Sequence, residues 1–312
     1  MKEVIHLLGY QKVESGFKVP NITDSMMWVE LEDYKSWVGV ELDILVESGE
    51  IIVTTRSRAG RSYWDLTHQN KTIKLLRDIF GGHFNTDAGK NRYWHPEGQP
   101  PTPMSSGCYL ARWRFNNALI KPRIYLRQRG LDQPNTKPAP KGLKFLDEMN
   151  PRLFSNNLLL PYLVAIWEEY FKSTFIVLIK YSEHRETAFK RARLSQSQLE
   201  AIASGYQEVE QAFAESFSFQ RPSNVASNFK LIDPKLDIAG SLRKPYRRRK
   251  KSLFDSIEEI VELRNEFVHS GYMDTTIVDK EIEKILNDIE VAVDRAYTAI
   301  GQFYKFSPIK HF

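Results

Sequence analysis

The chain has 312 residues, 42% of them apolar and 27% charged, with a formal net charge of +5, which allows two ordinary domains with real cores. Its one cysteine, Cys108, rules out an internal disulfide framework and fits a reducing cytoplasm, the expected location. The longest apolar stretch, residues 171–181, is broken by Lys172 and Lys180 and too short to span a bilayer, and residues 1–16 lack the apolar core and cleavage site of a signal peptide.

In chain order, residues 37–46 (WVGVELDILV) and 50–55 (EIIVTT) are β-rich runs separated by Glu47-Ser48-Gly49, which predicts a hairpin. Residues 71–80 place Ile73, Leu76 and Phe80 on one helical face, and Gly81-Gly82 stops that helix. Residues 85–106 hold Gly, Pro and Asn and read as a long loop. Residues 108–115 (CYLARWRF) and 122–126 are expected to be strands. Pro, Gly and polar residues then dominate 130–142, which predicts a linker at 133–142 between an α+β domain (1–132) and a second domain (143–312).

The second domain reads as all-helical. Pro161 suits a first helical turn, followed by an apolar run through Tyr181. Ser195 with Gln198 is a capping-box pattern, after which Leu199, Ile202, Tyr206, Val209 and Phe213 recur at helical spacing. Pro222, Pro234, Gly240 and Pro245 break residues 216–250. Ser252 can cap a third helix whose apolar set is Leu253, Ile257, Ile260, Val261, Phe267 and Val268. A last helix from about Thr276 carries Val278, Ile282, Ile285, Ile289, Val293, Ala296, Ile300 and Phe303. Four such helices make a bundle.

Two features carry chemistry. Residues 243–251 (RKPYRRRKK) hold seven positive charges, and such a patch is a plausible footprint for a phosphate backbone. Arg243, Lys244, Arg247, Arg248, Arg249, Lys250 and Lys251 are the candidate RNA contacts, with Tyr246 placed to stack on a base. The second feature is Arg264-Asn265-Glu266-Phe267-Val268-His269, late in the third helix. Asn265 and His269 share a helical face, with Arg264 on its flank. Ser270-Gly271 ends the helix, so His269 lies in the last turn, where carbonyl dipoles favour imidazolium. Histidine works as acid or base near neutral pH, and arginine holds phosphate. The alternative reading is a helix-ending histidine with Arg264 in a surface ion pair to Glu258 or Glu262.

A helical bundle with R-N-x-x-x-H late in its third long helix, then a Gly-containing turn and a final amphipathic helix, resembles the HEPN domain. Residues 223–242 also resemble the helix-and-loop insert that precedes the motif in some ribonuclease-like members. The fold class expected is an α+β N-terminal domain followed by an all-α HEPN-like bundle. The resemblance implies a metal-independent endoribonuclease without cofactor. His269 would be the general base or acid, Arg264 would bind the scissile phosphate, and Asn265 would orient His269 or contact RNA. It also implies RNA ends with a 2′,3′-cyclic phosphate, a homodimer through the bundle, and a toxin or anti-phage role with an antitoxin or activating partner. Some HEPN toxins carry a modified tyrosine two residues after the histidine. Here Gly271 stands there and Tyr272 follows it, which argues against that control.

The other candidates are weaker. His68, His83 and His95 match no metal-ligand spacing, and Asp87-Ala88-Gly89-Lys90 lacks that of a P-loop. The competing function is a non-catalytic HEPN-like scaffold that binds RNA or protein. A DNA-associated regulator is disfavoured, because nothing resembles a helix-turn-helix or zinc module.

Overall fold

Val40, Leu42 and Ile44 are buried, while Glu41, Asp43 and Leu45 between them are half-buried. A period of two makes a strand with one face in a core. The computed structural model describes residues 1–13, 21–132, 145–190, 194–306 and 309. The chain forms two units that divide between Leu110 and Ala111, the first also taking in Ile309.

The first unit opens with α1 (Lys2–Leu7), followed by β1 (Gln11–Lys12), β2 (Ile22–Trp28), β3 (Val40–Glu47) and β4 (Glu50–Arg56). They form an antiparallel sheet in sequence order. The expected hairpin is β3–β4, with Glu47 opposite Glu50. Ser48 (φ 52°) and Gly49 (φ 85°) take the left-handed conformations that a two-residue hairpin turn requires. α2 (Tyr63–Phe80) ends at Gly81 as expected and begins at an unforeseen capping box between Ser62 and Asp65. A small hairpin, β5 (Asn85–Thr86) and β6 (Gly89–Lys90), interrupts the expected loop. The core joins Ile5, Leu8 and Tyr10 to Met26, Val40, Leu42, Ile44 and Leu76.

Residues 108–115 and 122–126 are not strands. They belong to α3 (Pro103–Asp132), which begins in the first unit and enters the second at Ala111. Cys108, Ala111, Phe115, Leu119, Pro122 and Leu126 are buried at spacings of three and four, so the long-range period overrides the β propensity of CYLARWRF. Pro122 removes the N–H that would reach the Ala118 carbonyl, and the Tyr162 hydroxyl donates to that carbonyl instead, at 2.9 Å. The predicted linker at 133–142 lies outside the described residues.

The second unit continues with α4 (Phe145–Glu148), α5 (Pro151–Lys180), α6 (Arg185–Phe189), α7 (Gln196–Ala203), α8 (Val209–Glu215), α9 (Pro222–Ile232), α10 (Ile238–Arg243), α11 (Leu253–Ser270) and α12 (Asp279–Tyr304). α5 starts ten residues before Pro161, at an Asn150 cap whose side chain accepts the Arg152 N–H. The expected continuous helix over 199–213 is two, because Gly205 turns the chain at φ 75° and leaves Leu199 and Tyr206 exposed. α11 keeps its Ser252 cap and Gly271 stop. α12 buries Ile282, Ile285, Ile289, Val293, Ala296 and Ile300, with Val278 exposed at its cap.

One carboxylate ties three helices together. Asp279, at the start of α12, accepts from Arg129 of α3 at 2.7 Å, from Arg152 of α5, whose Nε lies at 2.8 Å, and from the Asn156 amide at 3.2 Å. Burial alone raises the Asp279 carboxyl, but the hydrogen bonds from Arg152 and Asn156 and the charges of Arg129 and Arg152 hold it below the ordinary range.

Two outcomes are expected. Asp279→Ala strands two buried guanidinium groups and costs about 3 kcal/mol, measured by chemical denaturation; a loss near that of an exposed pair would show the network to be incidental. In the first unit, the His68 ring stacks on Trp28 at 3.8 Å. Burial, with help from Lys71, lowers its pKa from 6.5 to about 4. The unfolded chain therefore binds the proton first, so His68 contributes stability above pH ~6.5 that is lost as pH falls toward ~4. The thermal midpoint of the first unit should drop across that window, and His68→Phe should flatten the drop.

Candidate functional site

Ser252 starts α11 by accepting the Asp255 N–H, and Gly271 stops it in the left-handed conformation, φ 70°. Between them the helix changes character. Leu253, Phe254, Ile257, Ile260 and Val261 are buried, whereas nothing from Glu262 to Ser270 is. Phe267 is only half-buried and Val268 is exposed, so the last two members of the predicted apolar set leave the core. The motif occupies this emergent end of the helix.

Arg264 and His269 are about 140° apart around the axis, with Asn265 nearer to His269 at about 40°. The Arg264 guanidinium reaches across to donate to Asn265 Oδ1 at 2.9 Å, which turns its charge toward the histidine's side. Among the described residues it has no carboxylate partner, and its Nε is buried without an acceptor. Glu258 and Glu262, six and two residues before it, lie off its face of the helix and are held instead by Arg221, the cap residue of α9, at 3.3 Å and 2.7 Å. The ion pair expected under the alternative reading is absent among the described residues. His269 is exposed beyond this pair. Together they offer guanidinium donors beyond the one given to Asn265, which an anion could take, and an accessible imidazole for proton transfer.

The segment after the motif is held from α5. Asn157 Oδ1 accepts the Asp274 N–H at 3.0 Å, and its amide donates to the Asp274 carbonyl at 3.0 Å. The neighbouring Asn156 donates to the Ile277 carbonyl at 2.8 Å. Both asparagines are buried. The sequence pattern does not single them out, although two adjacent amides just before the apolar run of α5 are a visible signal. Around the motif, Phe154 and Leu158 of α5, Val268 and Tyr272 are exposed, and the Phe154 and Phe267 rings lie 6.1 Å apart. The result is an apolar rim.

The basic run lies elsewhere. It precedes α11, while His269 closes it, so about 25 Å of helix separates them. Its members are not equivalent. Arg249 makes a two-pronged ion pair with the buried Asp288 of α12, Lys251 pairs with Glu259, and the Arg243 guanidinium covers the Phe254 ring at 4.1 Å. Tyr246 is half-buried among arginines, while Lys244, Arg247, Arg248 and Lys250 are exposed and have no ion pair with any described residue. Among the described residues no helix is long and apolar enough to cross a membrane, and no three His, Cys, Asp or Glu side chains converge as a metal site.

Compared with known proteins, the chain matches the family described as RiboL-PSP-HEPN over residues 143–302. No curated protein and no solved structure matches it.

Asn157→Ala should remove both bonds to Asp274 and cost about 2 kcal/mol. Hydrogen exchange should show the Asp274 amide losing protection while the middle of α12 keeps its own. Equal loss throughout α12 would mean that Asn157 supports the bundle rather than the loop after the motif.

Proposed function

This chain belongs to the RiboL-PSP-HEPN family, whose HEPN domain is associated with RNase-like or nucleotide-binding function, and from that premise we propose that it is a metal-independent endoribonuclease. The observation that carries this reading is the Arg264 guanidinium, which has no acid partner among the described residues and shares with an exposed His269 the end of α11 that leaves the core, while Arg221 holds Glu258 and Glu262.

In the proposed reaction, His269 takes the proton from a ribose 2′-OH. The 2′-oxygen attacks the adjacent phosphorus, and the bond to the 5′-oxygen breaks as that oxygen is protonated. The products are a 2′,3′-cyclic phosphate and a 5′-hydroxyl. Arg264 neutralises the charge that grows on the non-bridging oxygens, a task its planar fork suits. Asn265 holds Arg264 in place through the 2.9 Å bond. DNA lacks the 2′-OH and is spared.

A homodimer completes the scheme. The apolar rim of Phe154, Leu158, Val268 and Tyr272 is the kind of exposed patch that a second copy covers. Two motif helices facing each other would bring two histidines to one cleft, one as base and one as acid. The cellular role we favour is a cytoplasmic toxin or anti-phage effector acting on cellular RNA such as tRNA, held by an antitoxin or an activating partner. The first unit would sense a trigger or select RNA. The competing scaffold reading leaves Arg264 without a task.

The test is purified protein with total cellular RNA in EDTA. The wild type should yield discrete cuts ending in cyclic phosphate. His269→Ala should lower the rate by about 10²–10⁴-fold. Arg264→Lys should fail to rescue Arg264→Ala, because a point charge does not replace the fork. Full cleavage by a folded His269→Ala protein would remove the site assignment.

A further inference from the structure

The four residues 246–249 form a tight turn closed by the Arg249 N–H donating to the Tyr246 carbonyl at 3.0 Å. Its two central residues are Arg247 (φ 49°) and Arg248 (φ 55°). Both are left-handed, a conformation that Gly or Asn tolerates and arginine resists. Strain of this kind persists only where the surroundings dictate it, and it collects at ligand clamps and functional turns.

The surroundings here do dictate it. Arg249 is fixed by its two-pronged pair with Asp288, which is only 3% exposed. Arg295, seven residues further along α12, donates to the carbonyls of Lys244 at 2.7 Å and Pro245 at 2.8 Å. The Tyr246 ring is flanked by the guanidinium groups of Arg247, Arg249 and Arg295 at 5.1, 4.7 and 5.4 Å. Two arginines and a tyrosine are therefore committed to holding the turn. What it presents is Arg247 and Arg248 at the tip, with Lys244 and Lys250 beside them, all exposed and without an ion pair to any described residue. A solvated basic loop needs neither the anchoring nor the strain.

We propose that this turn is a preformed clamp for the phosphate backbone of RNA, remote from the motif, and that it selects substrates long enough to reach both. The inference rests on the reading of the chain as an RNA-acting protein. Two helices measure the gap. Leu253 and His269 are sixteen residues apart on α11, and Asp279 and Arg295 are sixteen apart on α12, about 24 Å in each case. An A-form RNA duplex, rising about 2.8 Å per base pair, covers that distance in about nine steps. A folded RNA with a stem beside its cleavable segment can engage both points, whereas an RNA of a few nucleotides engages one.

The experiment uses the full chain carrying His269→Ala to suppress turnover, with an RNA hairpin of about twenty base pairs and a single strand of about five nucleotides as probes. Affinity is measured over a range of salt. Into this background go Arg247→Asn and Arg248→Gly together, which remove the charges and suit the left-handed turn, so folding is preserved or improved. The hairpin should bind at least about tenfold more weakly, its log K against log salt slope should shrink by about two, and its advantage over the short strand should narrow. Unaltered hairpin affinity and slope overturn the clamp. The two readings separate cleanly: if the parent chain cuts RNA but the slope is unaltered, the clamp fails and the nuclease stands. If the parent cuts nothing but the slope falls by about two, the nuclease fails and the clamp stands.

Discussion

The Asp279 carboxylate is the constraint on which the rest of the helical unit depends. Arginines from two helices converge on it; a guanidinium stays charged even when buried, so without this acid the cluster would hold two uncompensated cations. Satisfying them sets the end of α3, the start of α5 and the start of α12 against one another. The adjacent Asn156 joins the same cluster, and Asn157 extends it to the segment that leaves the motif. The position of His269 is therefore fixed at both ends: by its own helix on one side and by a loop tied to α5 on the other.

The distribution of arginine partners separates structural cations from available ones. Arg221 consumes Glu258 and Glu262, Asp279 consumes Arg129 and Arg152, and Asp288 consumes Arg249. After these pairings, Arg264 is left at one end of α11 and Arg247 with Arg248 at the other. Arg264, partly desolvated and without a carboxylate among the described residues, is costly to keep unless an anion visits it, whereas Arg247 and Arg248 stand exposed to solvent. The same chemistry at both ends of one helix, about 25 Å apart, is what a long polyanion meets and a mononucleotide does not.

Much of the second unit was legible because amphipathic helices announce themselves. Ser252, Gly271 and the stripe of α12 predict their helices closely, since caps and a 3.6-residue period are local properties. α3 departs from the expected strands for an equally physical reason. An eight-residue window rich in aromatic and branched side chains looks like a strand, and only twenty residues of context expose its helical period. The break at Gly205 leaves no mark in the apolar period, because Tyr206 and Leu199 fall on the right phase for a helix while standing in solvent.

Short-range patterns suffice to read the family, the helical character of the second unit and the motif at the end of α11, because they need no knowledge of neighbours. Which charges are free depends on the packing of distant helices. In sequence Arg249 and Arg248 are equivalent and adjacent, yet one is locked to a buried aspartate thirty-nine residues away and the other points outward. Likewise Glu258 and Glu262 precede Arg264 by six and two residues, close in sequence but off its face of the helix, and it is Arg221, about forty residues back at the cap of α9, that holds both. Ion pairing depends on distance in space, which pairs residues far apart along the chain, and no local pattern encodes it.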